Sequence, residues 1–186
     1  MTYKFTSDLS VNGINKIIRQ LDEYQNVILP RKIEELVNRL AEIGISVAQS
    51  VIQTDEKVRP LIVFSKTFNR TEDGYEGLLL ATETGQITST WETKEGIKSA
   101  DVSPLLMAEY GAGKFADGFI LRFPDGTEVG RGTFPGQTHA KDPNGWWYLE
   151  NGEWKHSYGW KPSRPLYSAW AEMEKDILTI AYEVFG

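Results

Sequence analysis

The chain has 186 residues, 40% of them hydrophobic and 25% charged, with a net charge of −6 and acids and bases interspersed along its length. That size suits one globular domain, or a core domain with an elaborated insertion, and the absence of cysteine excludes a disulfide scaffold, a thiolate metal site and a cysteine nucleophile. Electrostatic capture of nucleic acid needs clustered Lys and Arg, so DNA binding as the main task is disfavoured; with no apolar run of roughly eighteen residues and no basic-then-apolar opening, a cytoplasmically made protein without a membrane span is expected.

From Gly13, the residues Ile14, Ile17, Ile18 and Leu21 recur at helical spacing, with Ser10 or Asn12 available as a cap. After Pro30, placed as a first-turn residue, Ile33, Leu36, Val37, Leu40, Gly44, Val47 and Val51 continue the periodicity to about Gln53. This is either two helices or one long helix with a proline joint. Arg31, Lys32, Glu34, Glu35 and Arg39 make its solvated face. LIVFSKTF (61–68), EGLLLATE (76–83) and QITSTWE (86–92) are rich in β-branched and aromatic residues and separated by TEDG and TG, which fits a small antiparallel meander.

SPLLMAEYGAG (103–113) reads as a short helix, with Ser103 as cap, Pro104 in the first turn and Gly111 at the C-terminal position. DGFILRFPDGTEVGRGTF (117–134) reads as a hairpin turning at PDG. GWWYLENGEWKHSYGW (145–160), which holds four of the six tryptophans, reads as another, because Asn151-Gly152 is a strong two-residue turn signal. SRPLYSAWAEMEKDILTIAYEVFG (163–186) predicts a long amphipathic helix capped by Ser163, with Pro165 in its first turn and Leu166, Trp170, Met173, Ile177, Ile180 and Val184 as its stripe.

Most candidate chemistry fails on spacing. GAGKFADG (111–118) lacks the Ser or Thr that should follow the lysine of a phosphate loop, and GRGTFPG (130–136) misses the dinucleotide fingerprint by one position and carries a proline where a helix should open. His139, His156 and Asp142 are too few to complete a metal site, and no serine sits in a nucleophile elbow. The expectation is therefore no catalytic residue, no metal and no cofactor. A hydrolase built on His139, His156 and nearby acids is the weakest alternative.

The aromatic hairpin has three possible uses. Indole faces stack on sugars and quaternary ammonium groups, and GWWYLENGEW looks like one choline-binding repeat of bacterial cell-wall proteins. Such modules work as consecutive copies, whereas this chain holds one. Alternation places Trp146 and Tyr148 on one side and Trp147 and Leu149 on the other, so packing against the body can cover one face and a protein interface the second. The interface candidates are Trp146, Trp147, Tyr148, Trp154 and Trp160.

Two segments resemble a known family. SPLLMAEYGAG is similar to the "Glu, aromatic, Gly, small" signature of the tail-completion or head–tail joining (neck) proteins of long-tailed bacteriophages, and RPLYSAWAEMEKDI is similar to their terminal "Pro, aromatic or Leu, …, Ala" helix. The order of elements is also similar over most of the chain, although residues 114–162 are far longer than the usual connection. The resemblance implies that Glu109, Tyr110, Gly111, Pro165, Leu166 and Ala169 define the fold. It further implies a structural virion protein of the neck or upper tail, assembled in the host cytoplasm as a cyclic homo-oligomer, a hexamer or larger, that contacts other neck and tail proteins while DNA passes the lumen without specific binding. The expected fold is α+β, a single domain over 1–186: a long N-terminal helical segment, a small antiparallel sheet, a Trp-rich hairpin insertion at about 114–162 and a C-terminal amphipathic helix. The alternative is a carbohydrate- or choline-binding module of a tail tip or lysis protein.

Overall fold

Helical periodicity at both ends of the chain, with turn-rich β segments between, gives an α+β architecture. The computed structural model describes residues 6, 8, 10–52, 56–71, 74–93, 95–115, 120–122, 128–130 and 142–186. Helix α1 (Val11–Glu23) starts at Ser10, whose hydroxyl accepts from the Gly13 N–H at 3.1 Å; Asn12 lies inside the helix. The helical path then runs without a break through a π turn, Tyr24–Ile28, into α2 (Leu29–Ile52). Pro30 has no N–H to donate and crowds the carbonyl four residues back, and the widened turn before it, in which the Leu29 N–H reaches the Tyr24 carbonyl, absorbs that defect. The proline joint is thus one continuous rod.

The buried stripe of α2 is Ala41, Gly44, Ala48 and Ile52, of which the first three are small and let neighbours come close. A Cβ on Gly44 would stand 2.8 Å from Met173 Sδ and 3.0 Å from Leu79 Cδ2, so this position joins α2 to both the C-terminal helix and the first β ribbon. That ribbon is β1 (Ile62–Arg70) and β2 (Tyr75–Glu83), antiparallel from Ile62↔Glu83 to Arg70↔Tyr75. Gly77 meets α2 at Val37, where a Cβ would fall 2.0 Å from Cγ1.

The expected three-stranded meander does not form. β3 (Ile87–Thr93) pairs with β4 (Gly96–Val102) as a second, separate two-stranded ribbon. β4 was not expected from GIKSADV, a polar run with little β-branched content. At the end of β2, Glu83 receives the N terminus of α3 (Pro104–Tyr110): its carboxylate accepts from the Leu105 N–H at 3.0 Å and from the Ser103 hydroxyl. α3 packs on β2.

Beyond α3, Ala112–Gly113 (β5) pairs with Gly159–Trp160 (β10), and the insertion between them holds two ribbons: Ile120–Arg122 (β6) with Glu128–Gly130 (β7), and Trp146–Glu150 (β8) with Glu153–Ser157 (β9). The PDG turn lies outside the described residues. The C-terminal helix α4 (Pro165–Phe185) runs antiparallel along α2, with Lys32 Nζ 2.6 Å from the Val184 carbonyl and an Arg39–Glu183 ion pair. Ala48, Ile52, Val58, Ile62, Phe64, Ala108 and Ala169 form the core, with Ile45, Leu79, Ile87, Leu105, Trp160 and Leu166 packed against it. Each fully buried large side chain there is worth about 1.5–3 kcal/mol.

Two details of α4 correct the reading from periodicity. Ser163 is not its cap: the cap position is Arg164, in the left-handed region at φ 57°, and the Ser163 hydroxyl bonds to the Ala108 carbonyl at 3.3 Å. The buried face is Pro165, Ala169, Ile180 and Val184, whereas Trp170 and Ile177 are exposed. The helix carries apolar residues around most of its circumference, so spacing alone could not orient it.

Candidate functional site

The two segments that carry the family resemblance, 54 residues apart between Gly111 and Pro165, are interlocked in space. Glu109, in the last turn of α3, points its carboxylate at the start of α4 and accepts the Leu166 and Tyr167 N–H groups, both at 2.9 Å. A carboxylate there satisfies two donors that a helix start leaves unpaired, and it complements the positive end of the helix dipole. The Ser163 and Arg164 N–H groups both reach the Ala108 carbonyl, at 2.8 and 2.9 Å. Gly111 adopts φ +73°, where a Cβ would lie 2.7 Å from the Trp160 carbonyl and 2.8 Å from Pro162 Cδ. Pro165 and Ala169 are buried, Leu166 packs on the core, and Tyr110 ends α3 half-buried. These six residues form a joint between α3, β10 and α4.

The aromatic hairpin stands on the far side of that joint. Its turn has Asn151 at φ 54° and Gly152 at φ 81°, both left-handed as a tight two-residue hairpin requires. The register Trp147↔His156 and Leu149↔Trp154 puts Trp147 and Trp154 on one face in diagonal positions, about 7–8 Å apart by ordinary strand geometry. Both indoles are exposed, 61% for Trp147 and 49% for Trp154. β8 also runs beside β3 of the same subunit, which supports the ribbon.

A row of rings and cations ties this hairpin to the body. The Trp147 ring meets His156 edge-on at 4.8 Å, and His156 meets Tyr158 edge-on at 4.7 Å. The Lys114 ammonium sits 4.2 Å from the centre of the Tyr158 ring and 5.1 Å from that of Phe115, over which Lys161 also lies, at 5.5 Å. A cation over a ring face contributes about 0.5–1 kcal/mol at exposed sites, so the row braces the ribbon. Spacing in the sequence gave no sign of it, because Lys114 and Tyr158 become neighbours only when β5 and β10 pair.

Trp160 pairs through β10 with Ala112 and, partly buried, packs on the subunit's own core. The positions of Trp146 and Tyr148 are fixed by the backbone register, opposite Ser157 and Lys155.

His139 lies outside the described residues. Asp142 closes a local turn, its carboxylate accepting the Asn144 N–H at 2.8 Å. His156 is held between two rings. Gly111 and Gly113 of the phosphate-loop look-alike flank and form a β strand rather than a helix mouth. Among the described residues no group of three or more His, Asp and Glu is placed to hold a metal ion, and no helix is long and apolar enough to cross a membrane. No protein-family model, curated protein or solved structure matches the chain.

Proposed function

We propose that this chain is a structural virion protein of a phage neck or upper tail, acting in tail completion or head–tail joining as a cyclic homo-oligomer that also contacts other neck and tail proteins. The observation that carries the proposal is the pair of exposed indoles, Trp147 and Trp154, on one face of a braced, tightly turned hairpin. Rigid aromatic anchors that lose little conformational freedom on burial are what protein interfaces favour. The spatial interlock of Glu109–Gly111 with Pro165–Ala169 supports the reading too, since the resemblance assigns those positions to the fold. The net charge of −6 suits a lumen that DNA traverses without being gripped.

The test is the double variant Trp147→Ala, Trp154→Ala. The subunit is expected to fold, because both side chains are largely in solvent, and to fail to join heads to tails in a complementation assay. Fully infectious particles carrying the double variant would remove the interface role. The same diagonal indole pair also suits stacking on a sugar or a quaternary ammonium group, which is the competing reading. It requires saturable quenching of tryptophan fluorescence by choline or a cell-wall polysaccharide, abolished in the same variant.

A further inference from the structure

Two apolar helical stripes face solvent among the described residues. On α1, Val11, Ile14, Ile18 and Leu21 are all exposed, Val11 by 75%, and no α1 residue is buried. Among the described residues α1 makes substantial contact only with the π turn that follows it. The reason is geometric. α1 prolongs the line of α2, and α2 is already level with the end of α4 at Lys32, which bonds the Val184 carbonyl and lies over the Phe185 ring. The 13 residues of α1 therefore project about 20 Å past the helix pair. Although α2 nucleates it, a projecting helix with an uncovered apolar stripe leaves hydrophobic area in water that a partner can bury.

The second stripe lies on the side of α4 turned away from α2. Tyr167, Trp170, Leu178 and Tyr182 follow at helical spacing, with Ile177 beside them; Leu178 is 69% and Tyr182 78% exposed. Tyr167 and Trp170 already contact each other, ring centres 5.9 Å apart.

We infer that the α1 stripe of one copy docks on the outward α4 stripe of the next copy, head to tail. This rests on the homo-oligomeric reading above and assigns it an interface. A subunit's own α1 continues α2, which occupies the opposite side of α4, so the contact is intermolecular. Because the two surfaces differ, it is also heterologous, the kind that closes a ring or propagates a filament. The area is adequate. With roughly 100 Å² for an exposed aliphatic side chain and 200 Å² for an aromatic one, the exposed fractions leave about 230 Å² on the first stripe and about 480 Å² on the second. An interface at the lower end of the specific range, about 1,200 Å² in all and a little under three-fifths apolar, needs about 700 Å² of apolar area, which the two stripes together match.

The chain has no cysteine, which makes the test direct. Ile18→Cys and Leu178→Cys are made in separate molecules, checked for folding by circular dichroism, mixed, and treated with a short bis-maleimide; Leu21→Cys with Tyr182→Cys serves as a second pair. The expected result is a dimer band in the mixtures only, and a ladder when both cysteines of a pair are on one chain. Cross-links within single-cysteine samples and none in the mixtures would overturn the inference, because they mark an isologous contact. A preparation that is oligomeric by light scattering yet yields no α1–α4 cross-link from either pair would overturn it while leaving the ring itself standing. A chain that stays monomeric at high concentration without cross-links overturns it too, and the head–tail joining assay then decides separately whether the neck role survives.

Discussion

Glu109 is the residue whose loss should reveal most about how this fold is held. Its carboxylate caps α4 from α3 through two charge-assisted bonds of 2.9 Å, in a half-buried joint where water cannot fully replace it. A hydrogen bond to a charged group contributes about 1.5–3 kcal/mol, and a carboxylate at a helix start a further 0.3–1 kcal/mol or so. Glu109→Ala leaves two N–H groups without an acceptor and should cost about 3 kcal/mol. Glu109→Gln keeps one acceptor oxygen and the shape but loses the charge, and should cost about 1 kcal/mol. With a urea dependence of about 2 kcal/mol per molar for a chain this size, the unfolding midpoint should fall by about 1.5 M for the alanine variant and about 0.5 M for the glutamine. A midpoint for Glu109→Ala within 0.2 M of the parent, or equal losses in the two variants, would refute the capping account.

Two further predictions follow from local geometry. Gly159 has φ +112°, and a Cβ there would stand 2.0 Å from the Ala112 carbonyl oxygen, so Gly159→Ala must break the β5–β10 pairing and should cost about 3 kcal/mol or more; Gly152→Ala, at a turn with nothing within 4 Å, should cost only about 1–2 kcal/mol by the same urea measurement, and a reversed order would refute the reasoning. The Lys66 ammonium, 2.8 Å from the Glu42 carboxylate, holds that carboxyl below its ordinary 4.5. The pair's contribution is therefore present above pH 4.5 and disappears as the pH falls through the lowered folded-state value. Lys66→Gln should return the Glu42 titration, followed by NMR, to its ordinary position; an unmoved titration would show that Lys66 is not the cause.

What the amino-acid order determined by itself is the set of features that depend on neighbours within a few residues. Ser10 and Ser103 cap the helices that follow them, Gly111 ends α3 at positive φ, and Asn151-Gly152 turns the aromatic ribbon, because each is a matter of which dihedral angles and short-range hydrogen bonds a residue permits. The α+β class follows from the same periodicities.

Tertiary structure alone decided the features that depend on a partner far along the chain. The cap of α4 comes from Glu109, 57 residues before the first amide that it binds, and displaces Ser163 from that task. Ala169 and Ile180 turn inward while Trp170 and Ile177 turn out, because the small stripe of α2 admits the former face, and a helix apolar on several sides does not encode which side is covered. The strands pair as separate ribbons, and Glu83 at the end of β2 receives α3, 22 residues further along the chain at Leu105. Trp160 packs partly buried against the core while Trp147 and Trp154 stay exposed, although composition does not distinguish them. An indole's surroundings are set by what the rest of the chain brings against it, and that information is long-range.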